Sequence, residues 1–135
     1  MKIINFLHSY WGSILIIAGI LYLSFTPPST FQGIPTFNIK HLDKIIHFLL
    51  YSGLSLVLIY DFQKNKRSNI VSVSFVTFCI LFPIVLGGLV EIMQQQFFAP
   101  RTAEWGDWFS DIGGVLVGRL MMFLFMERKL KSLKM

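Results

Sequence analysis

The stretch GLVEIMQQQFFAPRTAEWGDWFSDIGG, Gly88 to Gly114, decides how this chain folds. It carries Glu91, the three glutamines Gln94–Gln96, Arg101, Glu104, Asp107 and Asp111. Yet NIVSVSFVTFCILFPIVLGG precedes its charges and GGVLVGRLMMFLFM follows them. The first flank alone has about the length a bilayer-spanning helix needs, roughly 20 residues, and the second reaches it when counted from Asp107 to Met126. The polar band therefore reads as the end of one membrane span, a short surface loop and the start of the next.

The rest of the chain supports that reading. Of 135 residues, 54% are hydrophobic and 14% charged, where a soluble domain carries about 25% charged residues. Mean hydropathy is +0.63. The single cysteine, Cys79, has no partner for an internal disulfide or a cysteine metal site. The fold expected is one all-α domain over residues 1–135, an integral membrane bundle of four transmembrane helices at about 4–25, 43–61, 69–96 and 107–126. Pro27 and Pro28 stop the first, DFQKNKRSN ends the second in a turn-rich loop, and Pro83 is expected to kink the third. A cleaved signal peptide is the rival reading of the first span. The length of its apolar run and the lack of an A-x-A site speak against it.

Orientation follows from the basic residues. Lys2, Lys64, Lys66, Arg67, Arg128, Lys129, Lys131 and Lys134 fall on one side, against Lys40, Lys44 and Arg101 on the other, with Arg119 inside a span. Basic short loops stay cytoplasmic, so both termini and the 61–69 loop are expected inside and the loops around 27–42 and 97–107 outside. The net charge of +5 is thus read as topology and lipid contact rather than nucleic-acid binding. Trp105 and Trp108 are expected to anchor the outer interface.

The polar residues then fall on helix faces. In HLDKIIHFLLYSGL, Asp43 or Lys44, then His47, then Tyr51 recur at helical spacing. Glu91 and Gln94 share a face at the end of the third span, and Asp107 and Asp111 a face at the start of the fourth. Gly114 and Gly118 form G-x-x-x-G, which permits close helix approach. Topology brings Asp43, Lys44, His47, Tyr51, Glu91, Gln94, Arg101, Asp107 and Asp111 to one depth. Charge inside a bilayer costs roughly 2.5–3.5 kcal/mol per residue on insertion scales, and pairing on a shared face offsets that cost. Arg101, whose planar fork clamps carboxylate or phosphate, is the expected hub.

DKIIHFLLY followed by EIMQQQFFAPRTAEWGDWFSDIGG resembles the VanZ-like family of small bacterial membrane proteins. The family's first motif is matched at Asp43, Lys44, His47, Phe48 and Tyr51, and its second at Glu91, Gln94, Arg101, Asp107 and Gly114. Asp111 departs from it, standing where the family usually has Asn. The resemblance covers about Asp43 to Arg119 and implies a bacterial cytoplasmic-membrane protein with a cell-envelope role. The family takes its name from a glycopeptide-resistance protein linked to teicoplanin.

Three functions compete for the nine polar residues. They bind an anionic envelope ligand (a lipid headgroup, a lipid-linked cell-wall intermediate or a glycopeptide). Or they form a membrane-embedded hydrolase or transferase acting on a phospholipid or polyprenyl phosphate, with His47 as acid/base and Glu91 or Asp107 as its partner. Or they are a structural ion-pair network. No phosphate loop or nucleophile motif favours the enzyme. A metal site could use His47 with Asp43, Glu91 or Asp107, a permissive set of one imidazole with carboxylates, and the reading expects neither metal nor cofactor. The oligomeric state is left open.

Overall fold

The computed structural model describes residues 2–27, 30, 41–65, 73–97 and 104–132. They form five helices: α1 (Lys2–Ser9), α2 (Trp11–Phe25), α3 (Leu42–Asn65), α4 (Val73–Phe97) and α5 (Trp105–Ser132). No strand occurs among the described residues. Leu42–Lys64, Phe75–Phe97 and Trp105–Arg128 are each long and apolar enough to cross a membrane.

The distribution of side chains is that of a multi-pass membrane protein. Leu49, Leu81, Val85, Leu89, Phe109, Leu116 and Phe123 point outward from the three long helices, each more than half exposed. Ser52, Ser55, Asp61, Glu91, Gln94, Asp107 and Asp111 lie buried between them. In water so large an apolar exterior would drive association. In a bilayer it is the solvated face, and the polar groups must find partners inside.

The tightest pairing is α3 against α5, and glycine makes it. A Cβ on Gly114 would run into the Phe48 carbonyl oxygen, and one on Gly118 into that of Ser52. The G-x-x-x-G face therefore lies directly on the α3 backbone, at Phe48 and one turn on, as expected of small residues in a membrane interface. Ile20, Tyr51, Leu54 and Val115 form a core among α2, α3 and α5. Leu58, Ile59, Cys79 and Met122 form a second one toward the other end. The third expected span continues through buried Pro83 as one helix, Val73–Phe97.

Two boundaries differ from expectation for one reason. α3 continues through Asp61 to Asn65, where a turn-rich loop was expected. The first expected span is divided at Tyr10 into α1 and α2, bent by 77°. A continuous helix would direct the Ser13 amide to the Ser9 carbonyl. Instead it donates to Asp61 Oδ2 at 3.0 Å, and Ser13 Oγ donates to the same oxygen at 2.9 Å. Tyr10, at the N-cap position of α2, makes no side-chain cap. Asp61 supplies that cap from α3, and Gly12 leaves room for it: a Cβ there would come 2.9 Å from Val57 Cγ1 and 3.4 Å from Asp61 Oδ2.

Candidate functional site

The start of α3, the end of α4 and the start of α5 meet at one end of the bundle. α5 begins in a way that favours acid: Glu104 precedes its first residue, and the Glu104 carbonyl accepts from the Asp107 amide at 2.9 Å. Asp107 sits in the first turn, where the helix dipole stabilises a carboxylate.

Along α3 the polar stripe descends into the protein. Side-chain exposure falls from 51% at Asp43 to 27% at Lys44 and 13% at His47, and Tyr51 is fully buried. Lys44 is the hub among the described residues. Its Nζ lies 2.7 Å from Glu104 Oε2, 2.8 Å from Asp107 Oδ1 and 3.3 Å from Asp43 Oδ2. Gly106 lets the lysine lie across the first turn of α5, since a Cβ there would come 3.1 Å from Lys44 Cε. Arg101, the expected hub, lies outside the described residues.

One turn deeper, His47 Nδ1 meets Asp111 Oδ1 at 3.0 Å. His47 thus has its carboxylate partner in Asp111, where the enzyme reading expected Glu91 or Asp107. Asp111 is fully buried and lies over Gly87, where a Cβ would come 2.6 Å from Asp111 Oδ2. The Tyr51 ring stacks below the imidazole, centroids 6.4 Å apart. Glu91 enters from α4, and its Oε2 accepts the Glu104 amide at 3.0 Å.

Lys44, His47, Tyr51, Glu91, Asp107 and Asp111 therefore converge, with Asp43 at the rim. Gln94 turns elsewhere: its Nε2 donates to the Ser24 carbonyl at 2.7 Å, tying α4 to the end of α2. Glu104 joins the centre unanticipated. Its sequence neighbourhood reads as loop, yet Glu104, Asp107 and Asp111 stand at i, i+3 and i+7, a spacing that places it on the acidic face of the last span. Trp105 is exposed as an interfacial anchor would be. Trp108 instead packs inward, its Nε1–H donating to the Ile84 carbonyl at 3.0 Å beside Gly88.

Not every buried group is satisfied. Tyr51 Oη, Glu91 Oε1 and Asp111 Oδ2 have no hydrogen-bond partner among the described residues. Two triads of side chains bring ligand atoms within 4.8 Å of one another: Asp43, Glu104 and Asp107, and His47, Glu91 and Asp107.

Fold and site together define a helical membrane protein with an acid-rich polar centre at one end of its bundle. Compared with protein-family models, curated proteins and solved structures, the chain matches none.

Proposed function

We propose that this chain is a VanZ-like protein of the bacterial cytoplasmic membrane. In this reading it crosses four times, with both termini inside and the polar centre facing outward, and that centre binds the head of an envelope ligand. One observation carries the binding reading. Polar groups descend from a half-exposed rim at Asp43 to buried Tyr51, and their deepest members, Tyr51 Oη, Glu91 Oε1 and Asp111 Oδ2, have no partner among the described residues. A purely structural network would satisfy its deepest groups, because each buried unpaired one costs about 1–3 kcal/mol.

The ligand class is an anionic head that also brings hydroxyl or amide donors for the open Glu91 and Asp111 oxygens: a lipid headgroup, a lipid-linked cell-wall intermediate or a glycopeptide such as teicoplanin. Lys44 offers positive charge at the rim, and Arg101 stands three residues before Glu104 in the sequence. The test is native mass spectrometry of the chain released from membranes. Lys44→Ala and Arg101→Ala are expected to lose retained anionic lipid, and unchanged retention in both overturns the reading. In cells, the same variants are expected to alter glycopeptide susceptibility at matched protein abundance.

The His47–Asp111 pair favours a second reading, a membrane-embedded hydrolase or transferase. A carboxylate on Nδ1 orients an imidazole for acid/base work. Purified protein showing no turnover of phospholipids or polyprenyl phosphates removes it.

A further inference from the structure

Five of the seven acidic residues, Asp43, Glu91, Glu104, Asp107 and Asp111, gather at this one end. Two triads among them and His47 have the spacing to hold a cation, and they differ in one respect. The triad of Asp43, Glu104 and Asp107 already surrounds a cation, the Lys44 ammonium, at 2.7–3.3 Å. The triad of His47, Glu91 and Asp107 shares Asp107, whose Oδ1 pairs with Lys44 at 2.8 Å, but has no ammonium or guanidinium paired with Glu91 among the described residues. Glu91 is 3% exposed. With Oε2 accepting the Glu104 amide, Oε1 remains unpartnered. A carboxyl buried in that condition is neutralised by a proton or by a cation, and an adjacent imidazole and second carboxylate favour the cation.

The donor set selects the kind. An imidazole nitrogen with two carboxylates suits an ion of intermediate softness, whereas calcium and magnesium prefer oxygen alone. Asp111 supplies what metal-binding histidines generally have, a carboxylate on the other ring nitrogen. With Nδ1 held at 3.0 Å by Asp111, His47 has Nε2 to offer. We propose that His47, Glu91 and Asp107 bind a divalent transition-metal ion of the Zn2+ or Mn2+ class, with Asp111 as the positioning carboxylate. At metal–ligand distances of about 2.0–2.2 Å, ligand atoms lie roughly 3–3.6 Å apart, a spacing the three side chains, already within 4.8 Å of one another, can reach. The ion offsets the excess of carboxylate charge, which also suits the centre to an anionic head. The metal inference goes beyond the ligand reading and stands without it.

The test uses the full chain in detergent, prepared without a polyhistidine tag and titrated with Zn2+ or Mn2+ alone. One site per chain is expected by calorimetry. His47→Gln and Glu91→Gln are expected to weaken it at least 100-fold, and Asp111→Asn by about 10–100-fold, the usual loss for a residue behind a ligand. Glu127→Gln, at the far end of α5, leaves it unchanged. Wild-type protein that binds neither ion overturns the inference, as does equal binding by wild type and both ligand variants. Should those variants fail to fold, pulsed electron paramagnetic resonance of Mn2+ on the wild type decides. Imidazole nitrogen coupling supports the site, and its absence overturns it. Metal binding with no change in lipid retention would sink the ligand reading and leave this one standing.

Discussion

Ser13, Glu104 and Ser24 show what this chain does with its buried polar groups. A helix end leaves amides or carbonyls without intrahelical partners, and in lipid no water is present to take them. Here other helices supply the partners: Asp61 for the Ser13 amide, Glu91 for the Glu104 amide and Gln94 for the Ser24 carbonyl. Asp61→Ala is therefore expected to cost about 1–2 kcal/mol, the range of a lost N-cap, and to lower the thermal midpoint in detergent by several degrees. Asp61→Asn, which keeps an acceptor, recovers part of it; a midpoint equal to wild type for Asp61→Ala would show that the cap carries no stability. Lys44→Met removes the shared cation from Glu104 and Asp107, and a loss on the order of 1–3 kcal/mol is expected, screened at the exposed rim. Lys44→Arg should retain most of the stability in the same melt. Lys44, His47 and Tyr51 were legible in the sequence because a helix aligns residues three and four apart. Asp61 was not, because DFQKNKRSN has the composition of a loop and only contact with α2 makes its carboxylate a cap.

At the scale of the element, α3 and α5 are set by glycine, and the structure separates glycines that matter from one that does not. Gly114 and Gly118 lie against the α3 backbone, so even a methyl group there must push the helices apart. Gly19, in α2, has nothing within 4 Å of a Cβ. Gly114→Ala is expected to lower the thermal midpoint and Gly118→Val to prevent accumulation in the membrane. Gly19→Ala should be neutral or stabilising by about 0.5–1 kcal/mol, since alanine is the better helix former. If Gly114→Ala melts with wild type, the close approach is not what holds the pair. The three long helices were legible as apolar runs bounded by charge, and the G-x-x-x-G pairing from spacing. The bend at Tyr10 was not: no proline marks it, and His8, Ser9, Gly12 and Ser13 around it are too few to break an apolar run by themselves. It depends on a carboxylate 48 residues away competing for the Ser13 amide.

At the scale of the molecule, those ties orient α2. Its first turn is fixed to Asp61, near the end of α3, and its last to Gln94, near the end of α4. α2 thus runs antiparallel to α3 along the bundle, from the end carrying Lys64 to the end carrying Lys44. Its 15 residues reach about 22 Å at 1.5 Å each, short of a roughly 30 Å hydrocarbon core. α1, turned 77° from it and exposing Ile3, Ile4 and Leu7, has the form of a helix lying in the interface, so the pair is either a broken span, as the proposed four-span topology requires, or a re-entrant loop. This gives a topology that labelling can refute. In a Cys79→Ser background, Glu104→Cys is expected to react with an impermeant maleimide on intact cells. Lys2→Cys and Lys64→Cys should react only after permeabilisation, because basic segments stay cytoplasmic. Labelling of Lys2→Cys together with Glu104→Cys would make α1 and α2 a re-entrant pair and reduce the crossings to three. Labelling of Lys64→Cys from outside would invert the bundle and turn the polar centre toward the cytoplasm, away from any envelope ligand.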